Sequence, residues 1–210
     1  MTLSLAFLIS FFTVGILQVT AETLQCRYYI DSRYPLDGQQ YYCYVKNSEI
    51  FTDSRINIDN AIGAHTEGRT SNSQVGAFYT DGPSNMVLFP SNLAQIFPNI
   101  IVIDIYASYL TQITNDDLKP FSKLKYLSLQ SNVIEIISND LFSYNPELEV
   151  ILLNRNYIKH IDTLAFSSLN NLKSLSLYAN VCISLKNANT FNNRDDVLEI
   201  IKGIEQGNCL

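Results

Sequence analysis

The chain has 210 residues, a net charge of −6 and four cysteines. That length suits one domain of ordinary size. The charge is spread along the chain without a basic patch, which argues against nucleic acid and anionic membranes as partners. At the start, Leu3 to Leu17 is an apolar run without a charged residue, followed by Gln18, Val19, Thr20, Ala21 and Glu22. Val19 and Ala21 fit the small-residue pattern before a signal-peptidase cut, so residues 1–21 are expected to be a signal peptide. An uncleaved anchor is the competing reading; the run is short for a span of about 20 residues. No later stretch is apolar enough to cross a bilayer, and the polar C-terminal residues do not read as a lipid-anchor tail. The expected location is therefore secreted and extracellular, with no membrane contact after cleavage.

Residues 22–98 are expected to form a β-rich cap. The segments around Cys26 to Ile30 and Tyr41 to Val45 are rich in strand formers. Between them, Arg33 to Gln40, with Pro35, Asp37 and Gly38, reads as a turn. Further short strands are expected at Arg55 to Ile58 and Gln74 to Thr80. The second of these would add a first rung to the sheet that follows, with Val75 and Phe78 inward. Gly68 to Ser73 is polar and loop-like. Cys26, Cys43, Cys182 and Cys209 allow three pairings. Pairs Cys26–Cys43 and Cys182–Cys209 are favoured because each is local and lies at one end of the chain.

From residue 99 the chain repeats itself every 24 residues. Leu124, Leu127, Leu129, Asn132 and Ile134 recur as Leu148, Ile151, Leu153, Asn156 and Ile158. They recur again as Leu172, Leu175, Leu177, Asn180 and Cys182, and one period earlier as Ile100, Ile103, Ile105, Ser108 and Leu110. A further apolar slot holds Ile113, Ile137, Ile161 and Leu185; another holds Leu118, Phe142 and Phe166. Such a pattern describes coils, each giving one short strand to a parallel sheet and its Leu and Ile to a continuous core. Asn132, Asn156 and Asn180 follow the strand where the chain turns. There an amide can satisfy backbone groups of neighbouring coils; Ser108 does so more weakly.

This pattern resembles the 24-residue class of leucine-rich repeats over Ile100 to Leu185. The resemblance implies a curved solenoid whose concave sheet is the usual ligand surface. The whole chain also resembles short secreted leucine-rich-repeat proteins of insects. That likeness rests on Phe89 to Leu93, on Phe97, Pro98 and Asn99, and on the segment Gly63 to Gly68 around His65. The expected fold class is an α/β repeat solenoid, a short curved parallel β-sheet with a β-rich disulfide N-cap and a helical disulfide C-cap. Its divisions are residues 22–98, four coils over 99–185, and a C-cap over 186–210 tied back to Cys182. In the C-cap, Val197, Ile200, Ile201 and Ile204 recur at helical spacing from Asp195 to Glu205, behind acidic residues suited to a helix start. Closing either disulfide loop would contribute roughly 3–4 kcal/mol.

No catalytic constellation appears. His65 and His160 lack a metal-ligand partner one turn away, and no nucleophile elbow or phosphate loop is present. No cofactor or metal is expected, and the acid pairs Asp116 with Asp117 and Asp195 with Asp196 read as turn or helix starts. The remaining candidate is the concave face. Strand register puts there Val102, Asp104 and Tyr106; Tyr126, Ser128 and Gln130; Val150, Leu152 and Asn154; Ser174, Ser176 and Tyr178. Tyr79 extends the row by one rung. The set is nearly uncharged and rich in tyrosine, a favoured interface anchor. Val150 and Leu152 are expected to form an exposed aliphatic patch. The expected function is recognition of an extracellular protein or glycan. The alternative is an extracellular structural role, with the Val150 and Leu152 patch pairing a second copy of the chain.

Overall fold

The apolar residues of each 24-residue period fall at fixed positions because each coil has one inward side. In the structure, a computed structural model that describes residues 21–46, 55–82, 86–182, 189–190, 193–207 and 209, those residues stack into one core. Ile103, Leu127, Ile151 and Leu175 occupy the same slot of successive coils, and all are fully buried. The expected leader, residues 1–20, and the slot at Leu185 lie outside the described residues.

The strands are β1 (Ala21–Asp31), β2 (Gln40–Lys46), β3 (Asn57–Ile62), β4 (Ala77–Asp81), β5 (Val102–Ile105), β6 (Tyr126–Ser128), β7 (Ile136–Ile137), β8 (Val150–Leu152), β9 (His160–Ile161), β10 (Ser174–Ser176) and β11 (Asn189–Thr190). Nine of them make one sheet in the order β11-β10-β8-β6-β5-β4-β2-β1-β3, while β7 and β9 pair separately. The coil strands are parallel and exactly one period out of step in sequence: Val102 faces Tyr126, which faces Val150, which faces Ser174. The fold is thus a leucine-rich-repeat solenoid, as the sequence pattern implied. Behind the sheet, Phe142 stacks on Phe166 at 5.5 Å, and Leu118 is buried in the same slot one coil earlier.

Turns between coils rely on the asparagine amides. Asn132 Oδ1 accepts from the Ser108 and Leu110 N–H groups, and its Nδ2 donates to the Ile105 and Leu129 carbonyls. Asn156 and Asn180 repeat the arrangement against Ile134 and Ile158. Ser108 reaches only the Tyr106 carbonyl of its own coil. A residue two or three positions past each coil strand adopts positive φ in all four coils, at Ala107, Ser131, Arg155 and Ala179. None is β-branched, the class for which this conformation is most costly.

The sheet does not stop at the first coil. The antiparallel pair β1 and β2 joins it through β4, which runs parallel to both β2 and β5. Val75 and Phe78 point inward and are fully buried, as expected. The strand expected at Arg55 to Ile58 begins later, at Asn57, and extends to Ile62. The strand expected from Gln74 begins at Ala77, because Ser71 and Gln74 form a capping box around a short 3-10 turn at Asn72–Gln74. Cys26 is bonded to Cys43 across the β1–β2 pair, and Cys182 to Cys209 at the far end. Gly63 passes close under β1: a Cβ there would lie 2.1 Å from the Cys26 carbonyl oxygen. Helix α1 (Leu93–Ile96) and helix α2 (Asn115–Leu118) are single turns. Helix α3 (Arg194–Glu205) closes the C-terminal end and buries Val197, Ile200, Ile201 and Ile204. Asn193 caps it by accepting from the Asp195 and Asp196 N–H groups.

Candidate functional site

Alternate residues of each strand face away from the core, and on the coils these line the concave side. Adding β2 and β4 extends the lines. One file runs Tyr42, Ala77, Val102, Tyr126, Val150, Ser174; the next runs Tyr44, Tyr79, Asp104, Ser128, Leu152, Ser176. A third file, at the strand ends, carries Tyr106, Gln130, Asn154 and Tyr178.

The expectation that Val150 and Leu152 form an exposed patch is corrected. Both are buried, as are Val102, Tyr126, Ser128, Asn154, Ser174 and Ser176. Over Val102, Tyr126, Val150 and Leu152 the physical reason is the connection between β1 and β2, residues 32–39. Instead of turning back in solvent it lies over the face. Tyr34 is 3% exposed and joins Tyr42, Ala77, Val102, Tyr126, Val150 and Leu152 in a second apolar cluster, separate from the main core, with Leu36 packed against it. The Tyr34 ring lies 4.9 Å from that of Tyr126. Pro35, Leu36 and Asp37 border a hollow with Glu149, Val150, Lys173 and Ser174. The Arg33 guanidinium sits over the rings of Tyr42 and Tyr79, at 4.9 and 4.6 Å, a favourable cation–π geometry.

Asp104 lies on the floor beneath this loop. Part of the residue touches solvent, but its Oδ1 does not and has no hydrogen-bond partner. Burial pushes its carboxyl up to about 6; Asp81 adds to the rise, while the Ser128 hydrogen bond and the Arg33 charge oppose it. The Tyr34 hydroxyl is buried facing Asp104, close enough to oppose the rise but without a well-formed hydrogen bond; the Ser176 hydroxyl is buried without a partner. Burial likewise raises the tyrosines of the face, Tyr42 to about 12 and Tyr79, Tyr126 and Tyr34 further.

The margin of the face stays open. Tyr106 and Tyr178 are 37% and 38% exposed; Gln130 and Tyr79 are half-buried. Beside them the positive-φ turns present a second register of 24 residues: Tyr109, Val133, Tyr157 and Val181. Tyr109, Tyr157 and Val181 are exposed at 51%, 59% and 67%. Register reasoning on the strands missed both this file and the loop. The signal for the loop was present as Tyr34, Pro35 and Leu36, an apolar run inside an otherwise polar turn.

The other candidates have local roles. His65 is stacked on Tyr28 at 4.1 Å, and its Nδ1 meets the Tyr41 hydroxyl at 2.6 Å. His160 Nε2 lies 2.9 Å from Asp162 Oδ1. A hollow near Arg55, Asn92 and Pro120 lies away from the sheet. Its buried carboxylate, Asp117, is already paired with Arg55 and with the Thr114 N–H and hydroxyl. Among the described residues, no group of three or more His, Cys, Asp or Glu could hold a metal ion. Among the same residues, no helix is long and apolar enough to cross a membrane.

No family model matches the chain. It is 35% identical over 68 residues to Toll-like receptor 3 of Bos taurus, a match covering 32% of this chain and 7% of that one. In fold it is similar to a chain in a structure of the Toll–Spatzle complex, described as a molecular hub in Drosophila development and innate immunity. That match has a TM-score of 0.48 and 14% identity, and covers 60% of this chain and 17% of the other. The chain therefore spans a small fraction of the length of either protein.

Proposed function

We propose that this chain is an exported recognition module that binds an extracellular protein along the open margin of its concave side. The observation that carries the reading is the exposed file of Tyr109, Tyr157 and Val181, in register with Val133 and beside Tyr106 and Tyr178. Coils in a parallel sheet stack about 4.8 Å apart, so the file forms a continuous aromatic and aliphatic strip. Large amphipathic rings at a polar margin are the residues from which interface anchors are built. Disulfides near both ends suit an oxidising, extracellular setting, as does the leader expected at residues 1–21. The partial similarity to Toll-like receptor 3 supports a receptor-like recognition role.

The test is capture from extracellular fluid by the mature chain. Tyr109→Glu with Tyr157→Glu should leave unfolding unchanged and reduce capture at least tenfold. Undiminished capture by the folded double variant rejects the margin as the binding surface. Charged replacements at Tyr126 or Leu152 do not serve here, since those side chains lie beneath the loop and would test the fold. A chain that sediments as a dimer, and as a monomer after the same substitutions, would assign the strip to a second copy of itself.

A further inference from the structure

The loop of residues 32–39 covers the face that the coils present, yet its contacts do not resemble those of a permanent core. Only Tyr34 is buried; Leu36 is half-buried, and Ser32, Arg33, Pro35, Asp37, Gly38 and Gln39 are exposed. Its backbone hydrogen bonds are local: the Leu36 N–H donates to the Tyr34 carbonyl, and the Arg33 N–H to the Asp31 carboxylate. The loop strands two polar groups at this contact: the Tyr34 hydroxyl and Asp104 Oδ1 are buried side by side without a well-formed hydrogen bond. Each such group carries a desolvation cost that water would relieve if the loop lifted. Apolar burial of Tyr34 and Leu36 and the Arg33 contacts oppose that cost.

We propose that this loop is a displaceable strap that fills the concave face in place of a partner's segment. The occupant that replaces it is an extended protein segment of like chemistry, a basic residue followed by an aromatic, a proline and an aliphatic residue. The face specifies this. The Arg33 position meets the rings of Tyr42 and Tyr79 near Asp81 and Asp104. The aromatic position meets Tyr126 and the aliphatic floor of Val102, Val150 and Leu152. The acid position, Asp37, meets Lys173. The inference rests on the recognition reading above and adds a second, normally closed surface to it.

Closure should depend on pH. Asp104 is faced by Asp81 and Tyr79 from β4, by Tyr126 and Ser128 from β6, and by Arg33 and Tyr34 from the strap. With the strap shut its carboxyl holds a proton up to about 6. Lifting the strap returns it to water, where it ionises near 4. The proton therefore favours the shut state: acid holds the strap down, and rising pH through 6 releases it.

The experiment uses the full mature chain and a labelled peptide with the sequence of residues 31–40. Loosening the strap by Tyr34→Ser with Leu36→Ser should raise peptide affinity at least tenfold over the unmodified chain. Because the peptide covers Asp104 as the strap does, binding to the unmodified chain should change little from pH 5 to pH 7.5, whereas binding to the loosened variant should weaken over that range. No gain in the folded double variant overturns the proposal. Should that variant fail to fold, the unmodified chain still decides. The NMR contact between the Tyr34 and Tyr126 rings should fade as peptide is added to millimolar levels, and a contact that persists overturns the proposal. Protein capture without peptide binding leaves the margin reading standing and rejects the strap. Peptide binding without protein capture does the reverse.

Discussion

Asn156 and Asp104 show what single side chains do in a solenoid. Asn156 satisfies the Ile134 N–H and the Leu129 and Leu153 carbonyls inside the turn. Asn156→Ala leaves these buried groups unpaired, so it should lower stability by about 3 kcal/mol, read as a fall in the urea midpoint at unchanged slope. Asp104 acts in the opposite sense, being a buried acid whose ionisation works against the fold. Its folded carboxyl titrates at about 6, above the unfolded value near 3.9. The folded chain therefore binds the proton more tightly, and this contribution to stability is complete below pH 4. It is lost as pH rises to about 6, by about 2–3 kcal/mol. Asp104→Asn should flatten that dependence and stabilise the chain at pH 7, measured by chemical unfolding at pH 4.5 and 7. Asn156 was legible in the sequence because its position recurs in every coil. Asp104 was legible as a residue of the face but not as a buried acid, because what covers it comes from a segment about 70 residues earlier.

At the scale of elements, the hairpin of β1 and β2 both caps the solenoid and extends its sheet. The Cys26–Cys43 bond ties its two strands. Replacing both cysteines with alanine should cost roughly 3 kcal/mol by the loop-closure argument, seen as a lower melting temperature of the oxidised chain. Helix α3 was readable from its apolar spacing, and its start lies one residue from the expected position. The strands near Arg55 and Gln74 were placed a few residues too early. Strand-like composition marks a region, whereas the boundary is set by a local competitor, here the Ser71 and Gln74 capping box. The hairpin turn was read as a connection between two strands, with no reading of where it lies. Turn chemistry at Pro35, Asp37 and Gly38 says that the chain reverses, but not on which side of the sheet it then lies.

For the whole molecule, successive coils place the same position side by side, so charges spaced by one period meet. Glu149 lies between Lys125 and Lys173, at 3.5 and 2.8 Å. The Lys173 hydrogen bond holds its carboxyl below the usual range. Because both lysines are partly solvated, Glu149→Gln should cost less than about 1 kcal/mol, and the loss should shrink in high salt. A comparison of unfolding at low and high ionic strength checks this. The same stacking makes Tyr109, Val133, Tyr157 and Val181 one strip, so neighbouring substitutions on it should act together on capture.

Period, core slots, asparagine positions and local cysteine pairs followed from the order of residues alone. A one-dimensional array repeats its contacts at a constant sequence separation, so contact there is a property of spacing. The cover on the concave face did not follow, because it depends on where residues 32–39 land after β2 has docked through β4 onto the first coil. That docking buries Tyr34 against Tyr126 across the sheet, and no period in the sequence relates the two. The burial of Tyr126, Val150 and Leu152 and the raised carboxyl at Asp104 both descend from that single placement.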